Sequence, residues 1–198
     1  MEIREINENK KEYLELLLLA DEQESMIDRY LERGEMYVLY DAGEVRAVCV
    51  VTQENDQILE LKNLAVKPQC QRRGYGRKMI QFLCEKYRGK KAILQVGTGD
   101  SPATLPFYER CGFTQSHRIP GFFVDNYDHP IIECGKQLVD MVYLKQIIYV
   151  FLTIFLYLLK CPQSLILSAL RAFCFCGKPH ISRSIFLYFR YQAWLKSW

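Results

Sequence analysis

Residues 60–78, ELKNLAVKPQCQRRGYGRK, constrain what this chain can fold into more than any other stretch. The run Ile58-Leu59-Glu60-Leu61-Lys62-Asn63-Leu64-Ala65-Val66 is apolar and partly alternating, and Lys67-Pro68 stops it because proline removes a ladder donor. It predicts a strand. Gly74, Tyr75 and Gly76 then open a segment, Arg77 to Tyr87, whose apolar residues Met79, Ile80, Phe82, Leu83 and Tyr87 recur at helical spacing. The turn Gln71-Arg72-Arg73-Gly74-Tyr75-Gly76 is thus a strand-to-helix junction with glycines and arginines at the amino end of a helix.

Such a junction suits an anion for reasons that add. The first N–H groups of a helix lack internal partners, and the aligned peptide dipoles place roughly half a positive charge there. Gly74 and Gly76 let the backbone approach a bulky group, and Arg72, Arg73 and Arg77 add full charges. The pattern reads as a cradle for a pyrophosphate. A P-loop requires Gly, four residues, then Gly-Lys-Ser/Thr, which is absent, and the dinucleotide fingerprint requires a third glycine after Gly76, where Met79 stands. Taken alone, a Gly-x-Gly turn is also an ordinary tight connection.

With Leu64-Ala65-Val66 before it and Q-x-x-G-x-G inside it, the stretch resembles the acyl-CoA-binding motif of the GNAT superfamily of N-acetyltransferases. A second signature follows in the same order. Phe107-Tyr108-Glu109-Arg110-Cys111-Gly112-Phe113 is similar to the GNAT segment in which a helical tyrosine precedes a glycine-phenylalanine turn into a strand. The resemblance covers residues 1 to about 146. It implies an α/β GNAT fold, a mixed central sheet with helices on both faces, and acetyl-CoA as co-substrate without a metal. It further implies transfer of acetyl to a primary amine of a small molecule or peptide by direct attack in a ternary complex. Family members usually carry Asn where Ser101 stands and Ala where Thr104 stands, which leaves the side-chain contact to the pantetheine arm open. A non-catalytic acyl-CoA-binding regulatory domain is the competing class.

Roles follow residue by residue from that likeness. The backbone of Leu64, Ala65 and Val66 holds the pantetheine amides and polarises the thioester carbonyl. Gln71, Arg72, Arg73, Gly74, Tyr75, Gly76 and Arg77 hold the pyrophosphate, with Ser101 and Thr104 beside the pantetheine. Tyr108 is the general acid for the departing thiolate, against the plainer reading of a packed aromatic that anchors CoA. Glu60 matches the place where histone-type members carry a catalytic glutamate and is the candidate base; otherwise it is a solvated charge at a strand start. His117, Asp125, Tyr127 and His129 lie in a variable loop and earn no role.

Around this centre the chain reads simply. Glu2 to Ile6 alternates as a first strand, Asn7 or Asn9 offers a cap for a helix bearing Tyr13, Leu14, Leu16, Leu17 and Leu18, and a second helix spans roughly Asp21 to Arg33 with Gly34 as its stop. Met36 to Tyr40 and Glu44 to Thr52 form a hairpin about Asp41-Ala42-Gly43. Lys91 to Thr98 is a strand, completing a parallel crossover unit, and Ala103 to Arg110 a short helix. A polar, aromatic loop (HRIPGFFVDNYDHP) precedes an alternating run, Cys134 to Leu144, that returns as the final strand.

The last 52 residues differ from the rest in kind. All 23 acidic side chains and 20 of the basic ones lie in residues 1–146, while residues 147–198 carry the other six basic side chains and no acid. The division predicts a GNAT domain over 1–146 and a hydrophobic, basic C-terminal tail over 147–198. IIYVFLTIFLYLL falls short of the roughly twenty apolar residues that span a bilayer. The tail's composition fits interfacial membrane-binding segments, which makes a membrane-tethered enzyme an alternative, and it equally fits an appendage read through past a stop near Gln146. Cys174, Cys176 and His180 lack a fourth ligand for a metal, and no nucleic-acid-binding module accompanies the positive charge. The charged amino terminus is no secretory signal, which predicts a cytoplasmic protein whose eight cysteines are reduced, Cys49, Cys84 and Cys111 among them as packing residues. Oligomeric state stays open, a homodimer included.

Overall fold

The computed structural model describes residues 1–148; the expectations for the tail, including the Cys174, Cys176 and His180 grouping, lie outside the described residues. The chain opens with β1 (Glu2–Ile6), a 3-10 turn (Lys10–Tyr13) and two short helices, α1 (Leu14–Leu17) and α2 (Glu24–Leu31). The asparagine cap does not form at Asn9, which lies at φ +53° and accepts the Glu12 N–H through its carbonyl instead, so the chain enters as a tight turn. At the other end of α2, Lys10 Nζ donates to the carbonyls of Leu31, Glu32 and Gly34 at 3.0, 3.1 and 2.7 Å, satisfying acceptors at the helix's negative end. Gly34 serves close approach rather than a left-handed stop, since a Cβ there would lie 2.6 Å from Val50 Cγ1.

The hairpin β2 (Glu35–Asp41) and β3 (Glu44–Gln53) turns through Ala42 and Gly43 at φ +53° and +80°, the left-handed pair that matches strand twist. Then come β4 (Ile58–Val66), α3 (Tyr75–Lys86), β5 (Ile93–Gly99) and α4 (Leu105–Arg110). The stretch expected to be loop contains β6 (Thr114–Ile119) and α5 (Phe122–Asn126). Every residue of β6 is exposed, so no apolar alternation announces it; backbone pairing at the sheet edge makes it a strand. The expected closing strand is divided, with β7 (Ile132–Glu133) and β8 (Lys136–Gln137) forming a separate small hairpin before β9 (Met141–Ile147). The chain remains packed beyond β9, where Ile148 is buried.

The large sheet runs β1-β2-β3-β4-β5-β9-β6, with β4 and β5 parallel and every other pair antiparallel. It is a GNAT fold. Both faces are covered. Tyr37, Leu39, Cys49 and Val51 pack toward Met79, Ile80 and Leu83 of α3, while Met36, Val38, Val48 and Val50 pack toward Leu16, Leu17, Ile27 and Leu31 of α1 and α2. Alternate residues of one strand thus serve two cores, which is why β2 and β3 read as continuous apolar runs.

One irregularity positions the site. Val50 pairs with Asn63 and Val51 with Leu61, leaving Lys62 as the extra residue of a bulge in β4. The bulge changes the parity of the strand: Leu59 and Leu61 before it and Leu64 and Val66 after it all pack with the α3 core, while Ala65 joins the opposite one. Glu60 and Asn63, separated by that extra residue, both line the same cavity.

Because α3 is held by its apolar face, Leu83→Ala, at a position with no exposed surface, should cost about 2–5 kcal/mol in urea denaturation. A loss below about 1 kcal/mol would mean that α3 is anchored otherwise.

Candidate functional site

Parallel pairing of β4 with β5 ends at Leu61 and Val96, yet β4 continues to Val66 and β5 to Gly99. Past that point the strands part, and the backbone groups of β4 that face β5 have no ladder partner. A cavity of about 440 Å³ opens there, with Asn63, Leu64, Val96, Gly97, Thr98, Thr104 and Tyr108 among its lining residues. Two atoms of its lining residues are buried without a hydrogen-bond partner among the described residues, Asn63 Oδ1 and Thr104 Oγ1. Such orphans cost free energy until something binds them.

Beyond the end of β4 lies the glycine turn. Among the described residues, the backbone N–H groups of residues 72–77 have no acceptor within the protein, the first intrahelical bond being Lys78 N–H to the Gly74 carbonyl at 3.0 Å. Gly74 lies at φ +85° with nothing within 4 Å of a Cβ built on it, so the space before these donors is open. This arrangement fits a diphosphate.

The two glycines turn out to differ in purpose. A Cβ on Gly76 would lie 3.1 Å from Phe107 Cζ, so Gly76 permits the close approach of α3 and α4. The side chains divide likewise. Arg72 and Arg73 are exposed at the turn, with Arg72 itself at φ +58°. Arg77 Nη2 instead donates to the Arg110 carbonyl at 3.4 Å, at the carboxyl end of α4, and Tyr75 is buried with its hydroxyl donating to Asp41 Oδ2 at 2.7 Å. Gln71 Nε2 donates to the Val66 carbonyl at 3.3 Å and braces the turn on β4. Ser101, 1% exposed, accepts the Ala103 N–H at 3.1 Å and shapes the entry to α4.

Tyr108 is 8% exposed, set edge-to-face against Phe107 and Phe113 at ring-centroid distances of 5.1 and 5.6 Å. Burial pushes its phenol well above the ordinary tyrosine range. Tyr108 lines the cavity, and its phenol stays protonated. Glu60 is also buried, at 6%. Its Oε1 accepts from Lys62 Nζ at 2.6 Å and Tyr143 OH at 3.3 Å, and its Oε2 accepts from Gln95 Nε2 at 2.6 Å. Most of this support is invisible in residue order, because Gln95 and Tyr143 come from β5 and β9 and only the sheet brings them to Glu60, whereas Lys62 is its neighbour on β4. His117 stacks on the Tyr143 ring at 4.5 Å, and burial raises the Tyr143 phenol as well.

The far wall of the cavity comes from the α1–α2 loop, α2 and α5. Asp21 lies there, accepting from Tyr127 OH on Oδ1 at 3.0 Å and from Tyr30 OH on Oδ2 at 3.2 Å; Asn63 Nδ2 donates in turn to the Tyr30 hydroxyl at 3.1 Å. Burial raises the Asp21 carboxyl above its usual range despite those donors. Of the variable-loop residues, Tyr127 lines the cavity, whereas Asp125 and His129 do not. Among the described residues no His, Cys, Asp and Glu group could hold a metal ion, and no helix is long and apolar enough to cross a membrane.

Comparison with known proteins agrees with this geometry. The acetyltransferase (GNAT) domain family matches residues 32–115. The N-acetyltransferase YvbK of Bacillus subtilis (strain 168) is 37% identical over 137 residues, 68% of this chain and 88% of that protein. A GNAT family acetyltransferase from Elizabethkingia anophelis, solved with acetyl-CoA bound, is 32% identical and covers 74% of this chain and 97% of its own, with a TM-score of 0.70. A Bacillus subtilis acetyltransferase solved with CoA is 36% identical over 73% of this chain and 97% of its own, with a TM-score of 0.67. With its parted parallel strands, its open helix start and these relatives, the chain belongs to the GNAT family and is an acetyl-CoA-dependent N-acetyltransferase.

Proposed function

We propose that the enzyme moves the acetyl group to a primary amine of a small molecule or peptide, by direct attack while acetyl-CoA and acceptor are bound together. The observation that carries this reading is the single cavity wall shared by the parted backbone of β4, Tyr108 and Glu60. The N–H groups of residues 72–77 take the pyrophosphate, with Arg72 and Arg73 supplying charge; Arg77 and Tyr75 hold the turn in place from behind. Of Leu64, Ala65 and Val66, which take the pantetheine arm, Leu64 and Val66 turn backbone groups away from the β3 ladder toward it while Ala65, paired with Val48, holds the strand in place, and an N–H there stabilises the oxygen as it gains charge during attack. Thr104 Oγ1 gains the hydrogen bond it otherwise lacks, and Ser101 acts through the loop.

Tyr108 gives its proton to the departing sulfur. Its elevated pKa keeps the proton available at any physiological pH, and burial excludes the water that would compete for it. Glu60 takes the proton from the attacking amine, directly or through a water, using the Oε2 lone pair that Gln95 leaves free. Lys62 and Tyr143 fix the carboxylate's orientation through Oε1.

Tyr108→Phe removes only the hydroxyl, and should lower kcat by about tenfold or more in a thiol-release assay while the KM for acetyl-CoA changes little. Unchanged turnover would reject the acid role. Because the phenol's pKa is raised, the wild-type kcat should show no alkaline decline attributable to this group below about pH 10, the ordinary tyrosine value. A Phe-sensitive alkaline limb at lower pH would contradict that.

Gly74→Glu tests the cradle. It puts a like charge and a side chain at φ +85° before the open donors, and should weaken CoA binding by about tenfold or more in calorimetry with the circular dichroism spectrum preserved. Equal affinity would sink the assignment.

A further inference from the structure

The far wall of the cavity holds a carboxylate, Asp21, that forms no direct ion pair among the described residues. Asp21 has no Lys, Arg or His nitrogen within 4.0 Å among the described residues, although it sits in a partly buried position. Of the cations that line the same cavity, Arg33 and Lys62 are paired elsewhere, while Arg29 acts on Asp21 only from beyond ion-pair distance. Arg33 pairs with Glu54 at 3.1 Å, Lys62 pairs with Glu60 and Glu54, and Arg29 donates to Asn126 Oδ1 at 3.1 Å. What Asp21 has at hydrogen-bond distance is two phenol donors, which orient a carboxylate without neutralising it, and the more distant Arg29 charge offsets it only in part.

Its surroundings suit a cation. Tyr127, which donates to Asp21, stacks on Phe123 at 5.5 Å and lies near Phe122 at 6.5 Å, and all three line the cavity. Aromatic faces attract an ammonium that a carboxylate also holds. That ammonium cannot be the reacting one. An amine paired with Asp21 is kept protonated by the carboxylate, and a protonated amine has no lone pair with which to attack.

We infer that Asp21, with Tyr30 and Tyr127, binds a second cationic group of the acceptor, so that the preferred substrates are diamines or polyamines with one amine neutral at the thioester and another charged at Asp21. The inference rests on the acetyltransferase reading and adds the class of acceptor to it. Raised by burial, the Asp21 carboxyl also makes a prediction about stability. A folded-state pKa above the unfolded value contributes stability that is present below the unfolded pKa, about 3.9, and lost as pH rises through the folded pKa. Ionised Asp21 therefore costs the ligand-free protein stability at neutral pH, and Asp21→Asn should melt no lower than the parent there.

The test uses the full chain with CoA bound for calorimetry and with acetyl-CoA for kinetics, and takes putrescine, spermidine, n-butylamine and γ-aminobutyrate as probes. The parent should bind putrescine or spermidine about tenfold more tightly than n-butylamine, with γ-aminobutyrate weakest, and Asp21→Asn should abolish that preference through Kd and KM rather than kcat. Its CoA affinity and melting temperature report that the variant is folded, and Asp21→Glu should restore part of the preference if charge is what matters. Equal binding of putrescine, spermidine and n-butylamine by the parent, or an unchanged preference in Asp21→Asn, overturns the inference. Asp21-dependent diamine binding without any acetyl transfer upholds it and defeats the catalytic reading, whereas transfer to n-butylamine as efficient as to either polyamine does the reverse.

Discussion

The structure depends on a parallel ladder that stops early. Had β4 and β5 stayed paired to their ends, the backbone groups of Leu64 and Val66 that face β5 would be consumed inside the sheet, and no cleft would exist. The bulge at Lys62 turns β4 at the point where pairing with β5 ends, while the antiparallel ladder to β3 continues to Val66. One side of the strand remains structural and the other is released for a ligand. The exposed polar backbone is tolerable because it lines a cavity rather than apolar packing.

From this split the other parts take their places. The strand's end delivers the chain to the glycine turn, where α3 begins with its donors open and its apolar face fixed on the sheet. Gly76 lets α4 pack close through Phe107, and α4 then carries Tyr108 into the cavity between two aromatic rings. Parity after the bulge brings Glu60 and Asn63 to the same cavity. Asn63 in turn reaches Tyr30, and Tyr30 reaches Asp21, so a hydrogen-bonded line runs from the central strand to the far wall.

Much of this was readable from residue order, and the parts that were not share a cause. The strand, the glycine turn and the helix from Ile58 to Tyr87 are contiguous, and each is marked by its own periodicity or breaker. Tyr108 was legible because a second motif stood at the expected distance along the chain. By contrast β6 has no buried face and α5 lies among turn-forming residues, so neither has a periodicity that distinguishes it from loop, whereas the alternating run that predicted a closing strand holds only from Met141. The contact of Arg77 was not legible either, since its target, the Arg110 carbonyl at the end of α4, comes from a separate segment.

The sequence by itself determined the fold class, the family and the strand, glycine turn and helix from Ile58 to Tyr87, because these depend on neighbours within a few residues and on backbone preferences that act locally. Only the tertiary structure decided what surrounds Glu60, that Gly74 stands before open space while Gly76 lies against Phe107, and that Asp21 lines a cavity with no direct ion pair among the described residues. Those outcomes depend on the pairing register of β3 with β4 and on side chains such as Tyr127 that meet Asp21 across 106 positions of chain. Distance and desolvation create them, and neither quantity is written in the order of the residues.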